Sequence, residues 1–197
     1  MTCAVVLAAG NSKRMGTQKL LLPLGDKPVI AKVVDELLLC PVQSVLVVIG
    51  QDGGKIKQEL PNRDVTFVPN PKPEGDMLSS VRCGLRALPE KTEAVLVALG
   101  DQPAIRHELI EELILAFRKR EGGIIVPVYE GRRGHPMLFA SGFREEVLTR
   151  YDGVGLHGLL DAHPEEVLNV PVSTATILED MDTPEDYERQ KARAAQR

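Results

Sequence analysis

The sequence predicts an α/β fold of three layers, a mostly parallel sheet held between two layers of helices. Two observations carry this. Short apolar, β-branched runs alternate with segments whose apolar residues recur at helical spacing, the mark of repeated β-α-β units. Several runs are apolar throughout rather than alternating, as strands covered on both faces must be. With 197 residues, 43% of them hydrophobic, the chain can build one large core, so disorder is excluded and a single domain over 1–197 is expected.

Taken in order, Cys3–Ala8, Ser44–Gly50, Val65–Pro69, Ala94–Leu99 and Ile124–Pro127 read as strands. Val29–Leu39 reads as a helix entered through Pro28, a residue suited to a first turn. Asp76–Leu88 places Leu78, Val81, Leu85 and Leu88 on one stripe, and Arg106–Lys119 does the same with Leu109, Ile110, Leu113, Ile114 and Phe117. His135–Ala140 fits an edge or antiparallel strand, followed by a helix near Gly142–Arg150. A glycine-broken stretch (Gly153, Gly155, Gly158) leads to a helix ending at His163-Pro164, and Glu166–Val170 and Ala175–Leu178 look like short strands. Thr183-Pro184-Glu185-Asp186 starts a last helix with a capping residue, a first-turn proline and two first-turn acids, and the polar tail beyond about Arg189 is expected to fray. No internal repeat or low-complexity linker divides the chain.

The net charge of −4 argues against a nucleic-acid binder with a broad basic face. Three cysteines (Cys3, Cys40, Cys83) in apolar contexts, without metal-like spacing, read as buried free thiols of a reducing compartment. No apolar stretch approaches the roughly 20 residues that span a bilayer, and the first run turns too soon for a signal peptide. A cytoplasmic protein is expected.

Chemistry concentrates where strands end, since ligands of open α/β sheets bind beyond the carboxyl ends of the strands. Gly10, Asn70, Gly100 and Asp101 all follow strands and should converge on one cleft. The segment Leu7-Ala8-Ala9-Gly10-Asn11-Ser12-Lys13-Arg14-Met15-Gly16-Thr17-Gln18-Lys19 joins glycines, backbone N–H groups and three cations. It is not a Walker A loop, because Gly10 and Gly16 enclose five residues and Thr17 stands where lysine is required, nor is it G-x-G-x-x-G. With the first helix starting only near Pro28, Gly10 to Lys19 is long enough to wrap a triphosphate. Arg14 and Lys19 are its best phosphate ligands, and Lys13 is expected to face solvent.

Asp101, at the tip of a central strand, suits a Mg²⁺ ligand, with a helix cap or Asp-turn as the alternative. Glu179-Asp180-Met181-Asp182 offers a second carboxylate for the same metal, Asp182 or Asp180, although acids before a helix are stabilising in any protein. Ser79 and Ser80 lie off the apolar face of their helix and could bond a ribose or base. The mid-helix Gly84 implies close approach of backbone or ligand. Gly131-Arg132-Arg133-Gly134-His135-Pro136 offers a second anion site for an acceptor substrate, or else a solvated turn. His107, His157 and His163 have no ligand-like spacing.

The first motif, followed by Leu20-Leu21-Leu22-Pro23-Leu24, resembles the nucleotidyltransferase signature of the MobA-like family, and within it the molybdenum-cofactor cytidylyltransferases. The likeness continues through Asn70-Pro71, Gly75-x-Met77-x-x-Ser80, Gly84-Leu85, Gly100-Asp101-Gln102-Pro103, Gly134-His135-Pro136-x-Leu138-Phe139 and Asp180-Met181-Asp182-Thr183-Pro184-Glu185-Asp186. The resemblance implies a Rossmann-like α/β/α sheet of the nucleotide-diphospho-sugar transferase type, Mg²⁺ dependence, and attack by a terminal phosphate on the α-phosphate of a nucleoside triphosphate, releasing pyrophosphate.

Carried over, Arg14, Lys19 and Asp101 would be catalytic. Leu7, Ala8, Ala9 and Gly10, with Ser79, Ser80 and Gly84, would line the nucleotide, and Asp101 with Asp182 would hold Mg²⁺. Ala9 and Gln18-Lys19 favour CTP over GTP, since guanylyl-transferring relatives usually read Leu-Ala-Gly-Gly and end in Asp-Lys. Arg132, Arg133, His135 and His157 would meet the acceptor, molybdopterin. Where cytidylyltransferases often carry Gly-Asp-x-Gly-Ala-Arg, this chain has Asp152-Gly153-Val154-Gly155-Leu156-His157, so the expected acceptor-side arginine is replaced by His157 or displaced. The implied partners are a molybdoenzyme or its chaperone, and the expected state is a monomer. Another phosphorylated acceptor (a sugar phosphate or methylerythritol phosphate), GMP transfer, or a non-catalytic molybdopterin carrier are the alternatives.

Overall fold

The computed structural model of the chain describes residues 1–10, 12, 15–72, 75–119 and 121–195. The elements run β1 (Thr2–Ala8), β2 (Pro23–Leu24), β3 (Lys27–Pro28), α1 (Val29–Leu38), β4 (Ser44–Ile49), α2 (Gly53–Gln58), β5 (Thr66–Pro69), α3 (Met77–Ala87), β6 (Ala94–Leu99), α4 (His107–Arg118), β7 (Ile124–Tyr129), β8 (Arg132–Arg133), β9 (Met137–Ala140), α5 (Arg144–Thr149), α6 (His157–Ala162), β10 (Val167–Pro171) and α7 (Pro184–Ala194). The main sheet has the order β10-β7-β9-β6-β1-β4-β5, with β8 paired to β7. β6, β1, β4 and β5 run parallel, as do β7 and β10; β9 runs against both neighbours. Among the described residues no helix is long and apolar enough to cross a membrane.

The uninterrupted apolar runs have the cause expected of them. In β1, Cys3 and Val5 pack with Val81 and Leu85 of α3 on one face, while Ala4, Val6 and Ala8 pack on the other with Val33, Val34 and Leu37 of α1. Both faces are dry, so each pair of successive residues contributes two buried side chains, about 1.5–3 kcal/mol per valine or leucine. Gly84 explains the spacing of α3 from this strand. A Cβ there would lie 2.3 Å from Cγ1 of Val5, so the close approach its residue type implied is that of helix to sheet.

Two expectations are corrected, one alternative is decided and two elements are added. The strand near His135–Ala140 is antiparallel but interior, flanked by β6 and β7. Ala175–Leu178 is a 3-10 turn, started by Thr174, whose side chain accepts from the amide of Thr176. A short α2 and the β2–β3 hairpin carry no strong sequence signal, α2 because it begins on two glycines. The last helix runs on to Ala194 rather than fraying near Arg189, because Gln190 and Arg193 both bond Glu179 and the Tyr187 hydroxyl donates to the Pro23 carbonyl at 2.6 Å. Its predicted cap is present as a reciprocal Thr183–Asp186 box. Of the three free thiols, Cys3 and Cys40 are buried and Cys83 is half-buried.

Candidate active site

The loop after β1 is shaped by its own side chains. Ser12 Oγ donates to Gln18 Oε1 at 2.8 Å and accepts the Lys19 amide at 3.1 Å, while Gln18 Nε2 donates to the Gly10 carbonyl at 3.1 Å. This closes the loop and delivers Lys19, on the 3-10 turn Lys19–Leu21, to the end of β6. There the Lys19 ammonium donates to Asp101 Oδ2 and, at 2.8 Å, to Asp182 Oδ1. Burial alone would lower the lysine pKa, but the two carboxylates outweigh it and raise it. Asp182 is delivered by the irregular segment 179–182, where the Met181 amide donates to the Asp101 carbonyl at 3.1 Å. Asp180 sits beside them, bonded by Gln102 Nε2 at 2.7 Å; burial first, and then Asp101, push its carboxyl up.

Two cavities adjoin beside this cluster. The smaller, about 310 Å³, is lined by Leu7, Ala9, Gly10, Lys19, Gly75, Ser80, Asp101 and Asp182 among others. The larger, about 490 Å³, is lined by Arg132, Arg133, His135, Gly153 to His157, Val126 and Met137 among others. Asp76, Met77, Leu99 and Asp180 line both, so the cavities adjoin.

Most of the expected residues fall on these walls. Lys19, Asp101 and Asp182 come together, with Leu7, Ala9, Gly10 and Ser80 around the smaller cavity. Ala8 is buried in the core below, and Gly84 packs on Val5, away from both cavities. Ser79 is used by its own helix start, its amide bonded to the N-cap Asp76 and its hydroxyl donating to the Asp76 carbonyl at 2.8 Å. Arg14 and Lys13 lie outside the described residues. Arg132 and Arg133 are exposed at the rim of the larger cavity, held out by a tight turn with positive φ at Glu130 and Gly131, and His157 starts α6 on its opposite side. Asp180 is the alternative acid that the sequence offers, and Met77 and Gln102 fall in motifs of the resemblance, but no motif marks these residues and Asp76 as one wall; at Asp76 the signal is the Asp-x-x-Ser capping pattern.

His135 is the buried member of this set. Burial first, then the neighbouring His157, hold its pKa below the ordinary value. An unfolded histidine protonates as pH falls through about 6.5, whereas the folded one resists, so the unfolded state binds more protons and stability falls with pH in that window. The denaturation midpoint of the wild type should therefore drop between pH 7 and 5.5, and His135→Gln should lose this part of the slope. Parallel profiles for the two proteins would remove His135 from the effect.

The carboxylates fit a divalent cation. Asp101, Asp180 and Asp182 supply only hard oxygen donors, and the Lys19 ammonium between two of them shows that the place already holds positive charge. Elsewhere, Glu36, His107 and Glu108 bring ligand atoms within 4.8 Å of one another. Glu36 is committed there to α4, accepting the His107 amide at 2.9 Å and pairing Arg106 at 2.6 Å.

Adjoining cavities beside a covered, mostly parallel sheet, one of them walled by a lysine–carboxylate cluster, are the kind of place where α/β enzymes bind their ligands. The chain belongs to the MobA-like NTP transferase domain family, whose model matches residues 4–167, and it is a nucleotidyltransferase. It is similar to the molybdenum cofactor cytidylyltransferase of Escherichia coli (26% identical, covering 96% of this chain and 95% of that one). It is also similar to the nicotine blue oxidoreductase of Paenarthrobacter nicotinovorans (29% identical, 94% of each). Among solved structures it resembles a nucleotidyl transferase from Methanothermobacter thermautotroptrophicus, with a TM-score of 0.86 at 26% identity over 100% of this chain and 98% of that one. Relatives bearing such different names place the weight of any finer assignment on the site itself.

Proposed function

We propose that this protein transfers CMP from CTP to the terminal phosphate of molybdopterin, releasing pyrophosphate. The observation that carries this is the Lys19–Asp101–Asp182 cluster on the wall of the smaller of two adjoining cavities, that one suited to a nucleoside triphosphate and its neighbour to a bulky acceptor. The likeness to the Escherichia coli cytidylyltransferase supports the choice of both substrates. The free thiols of Cys3, Cys40 and Cys83 support a reducing, cytoplasmic setting for the reaction.

In this account the smaller cavity takes the nucleotide, with Ala9, Gly10 and Ser80 toward the nucleoside and Lys19, joined by Arg14, toward the phosphates. The larger cavity takes the acceptor, its apolar walls of Val126, Met137 and Leu160 facing the ring system and Arg132 and Arg133 meeting anionic groups at the rim. An oxygen of the acceptor phosphate attacks the α-phosphorus, the bond to the α–β bridging oxygen breaks, and pyrophosphate leaves. The nucleophile is already ionised, so no general base is needed, and catalysis rests on alignment and charge neutralisation. Lys19 offsets the charge that develops on the departing pyrophosphate. Asp101 and Asp182 would hold Mg²⁺, which when bound would neutralise phosphate charge and polarise the α-phosphate.

The choice of base is tested by competition binding in the presence of a divalent ion. CTP should bind at least tenfold tighter than GTP, ATP or UTP; a preference for GTP would contradict the part assigned to Ala9 and Gln18.

A further inference from the structure

We propose that Gln102 is a positioning residue, whose amide ties the carboxylate shared by the two cavities to the wall of the larger one and so sets how donor and acceptor half-sites are aligned. This rests on the assignment of the cavities under Proposed function.

Gln102 is 2% exposed and follows Asp101 directly at the end of β6. Its Nε2 donates to Asp180 Oδ1 at 2.7 Å and to the Ile177 carbonyl at 3.3 Å. Those two partners belong to one segment with two duties. Ile177 lines the acceptor cavity, Asp182 at the far end holds Lys19 in the donor cavity, and Asp180 lines both. Two backbone bonds flank the contact, Met181 N–H to the Asp101 carbonyl at 3.1 Å and His135 N–H to the Ile177 carbonyl at 3.0 Å. The second needs Gly134, where a Cβ would lie 2.3 Å from the Ile177 oxygen. Gln102 is the side chain that joins these two attachments.

The chemistry of the amide points the same way. An amide donating to a carboxylate makes a charge-assisted bond, and deleting the donor releases the carboxylate of Asp180, an exposed residue, from the place the bond gives it. The other end of the amide, Oε1, is buried with no partner among the described residues, an arrangement that costs stability. An apolar residue of equal length would avoid that cost but could not hold Asp180.

Four variants test this: Gln102→Met, of similar length without a donor; Gln102→Asn, too short to reach; Asp180→Ala; and the Gln102→Met/Asp180→Ala double. Hydrogen–deuterium exchange across residues 176–182 should rise at least tenfold in Gln102→Met and Gln102→Asn, with exchange in α1 unchanged. Turnover with CTP and molybdopterin should fall about 30-fold in Gln102→Met with KM for CTP within threefold. The double variant should be no slower than Asp180→Ala alone. Unchanged exchange, turnover within threefold of wild type, or losses that multiply in the double variant would each overturn the proposal. Were the wild type to turn over no triphosphate, the functional assignment would fall by itself, and the exchange result would still decide whether Gln102 fixes the segment.

Discussion

Asp101→Asn is expected to lower turnover about 10³-fold, equivalent to about 4 kcal/mol of transition-state stabilisation. The substitution removes one negative charge and leaves the shape. The backbone contact from the Met181 amide to the residue 101 carbonyl is independent of the side chain, and Lys19 keeps its 2.8 Å bond to Asp182. The variant should therefore fold with a thermal midpoint within a few degrees of the wild type. What it loses is a carboxylate on the wall of the smaller cavity, where a divalent cation would be held beside the phosphates. Steady-state pyrophosphate release, normalised to folded protein, measures the effect. A carrier that binds molybdopterin without chemistry has no use for this charge, so near-normal function of Asp101→Asn would favour that alternative.

Lys19→Ala should lower kcat/KM for CTP by about 10²–10³-fold, since it removes a partly buried cation from the polyphosphate side. The same change should act in the opposite direction on metal binding to the free protein. In the structure the ammonium is the counter-charge of Asp101 and Asp182, and a divalent ion entering without nucleotide must displace it. Lys19→Ala takes a positive charge away from beside two carboxylates, so Mn²⁺ should bind the nucleotide-free variant at least tenfold tighter than the wild type, as read by electron paramagnetic resonance. Molybdopterin binding should change by less than threefold. Equal weakening of CTP and molybdopterin, or weaker Mn²⁺ binding in the variant, would contradict the place given to Lys19.

The parts of the molecule that sequence reveals are those governed by neighbours along the chain. Runs such as Ala94–Leu99 and Ile124–Pro127 read as strands because both faces are buried, and the Thr183–Asp186 box is complete within four residues. The loop from Gly10 to Lys19 and the acid at Asp101 are legible for the same reason: their residue types are unusual in ordinary connections. Properties that depend on distant partners are not. The β9 strand looks like an edge by itself and becomes interior only by pairing with both β6 and β7. Ala175–Leu178 has a strand composition, but capping by Thr174 and the contact with His135 make it a turn. Gly84 shows the need for close approach without showing to what, and the answer is Val5. Gln102 and Asp180, 78 residues apart, each fall in a motif of the family resemblance, but nothing along the chain shows that one bonds the other.

The most direct measurement is the product itself. Enzyme, Mg²⁺, molybdopterin and equal amounts of CTP and GTP are incubated, pyrophosphate is counted and the pterin products are identified by mass spectrometry. The account predicts a molybdopterin–cytosine dinucleotide, formed with one pyrophosphate per molecule and absent without the acceptor. A guanine dinucleotide as the main product, or pyrophosphate released from CTP only when another phosphorylated acceptor replaces molybdopterin, would contradict it.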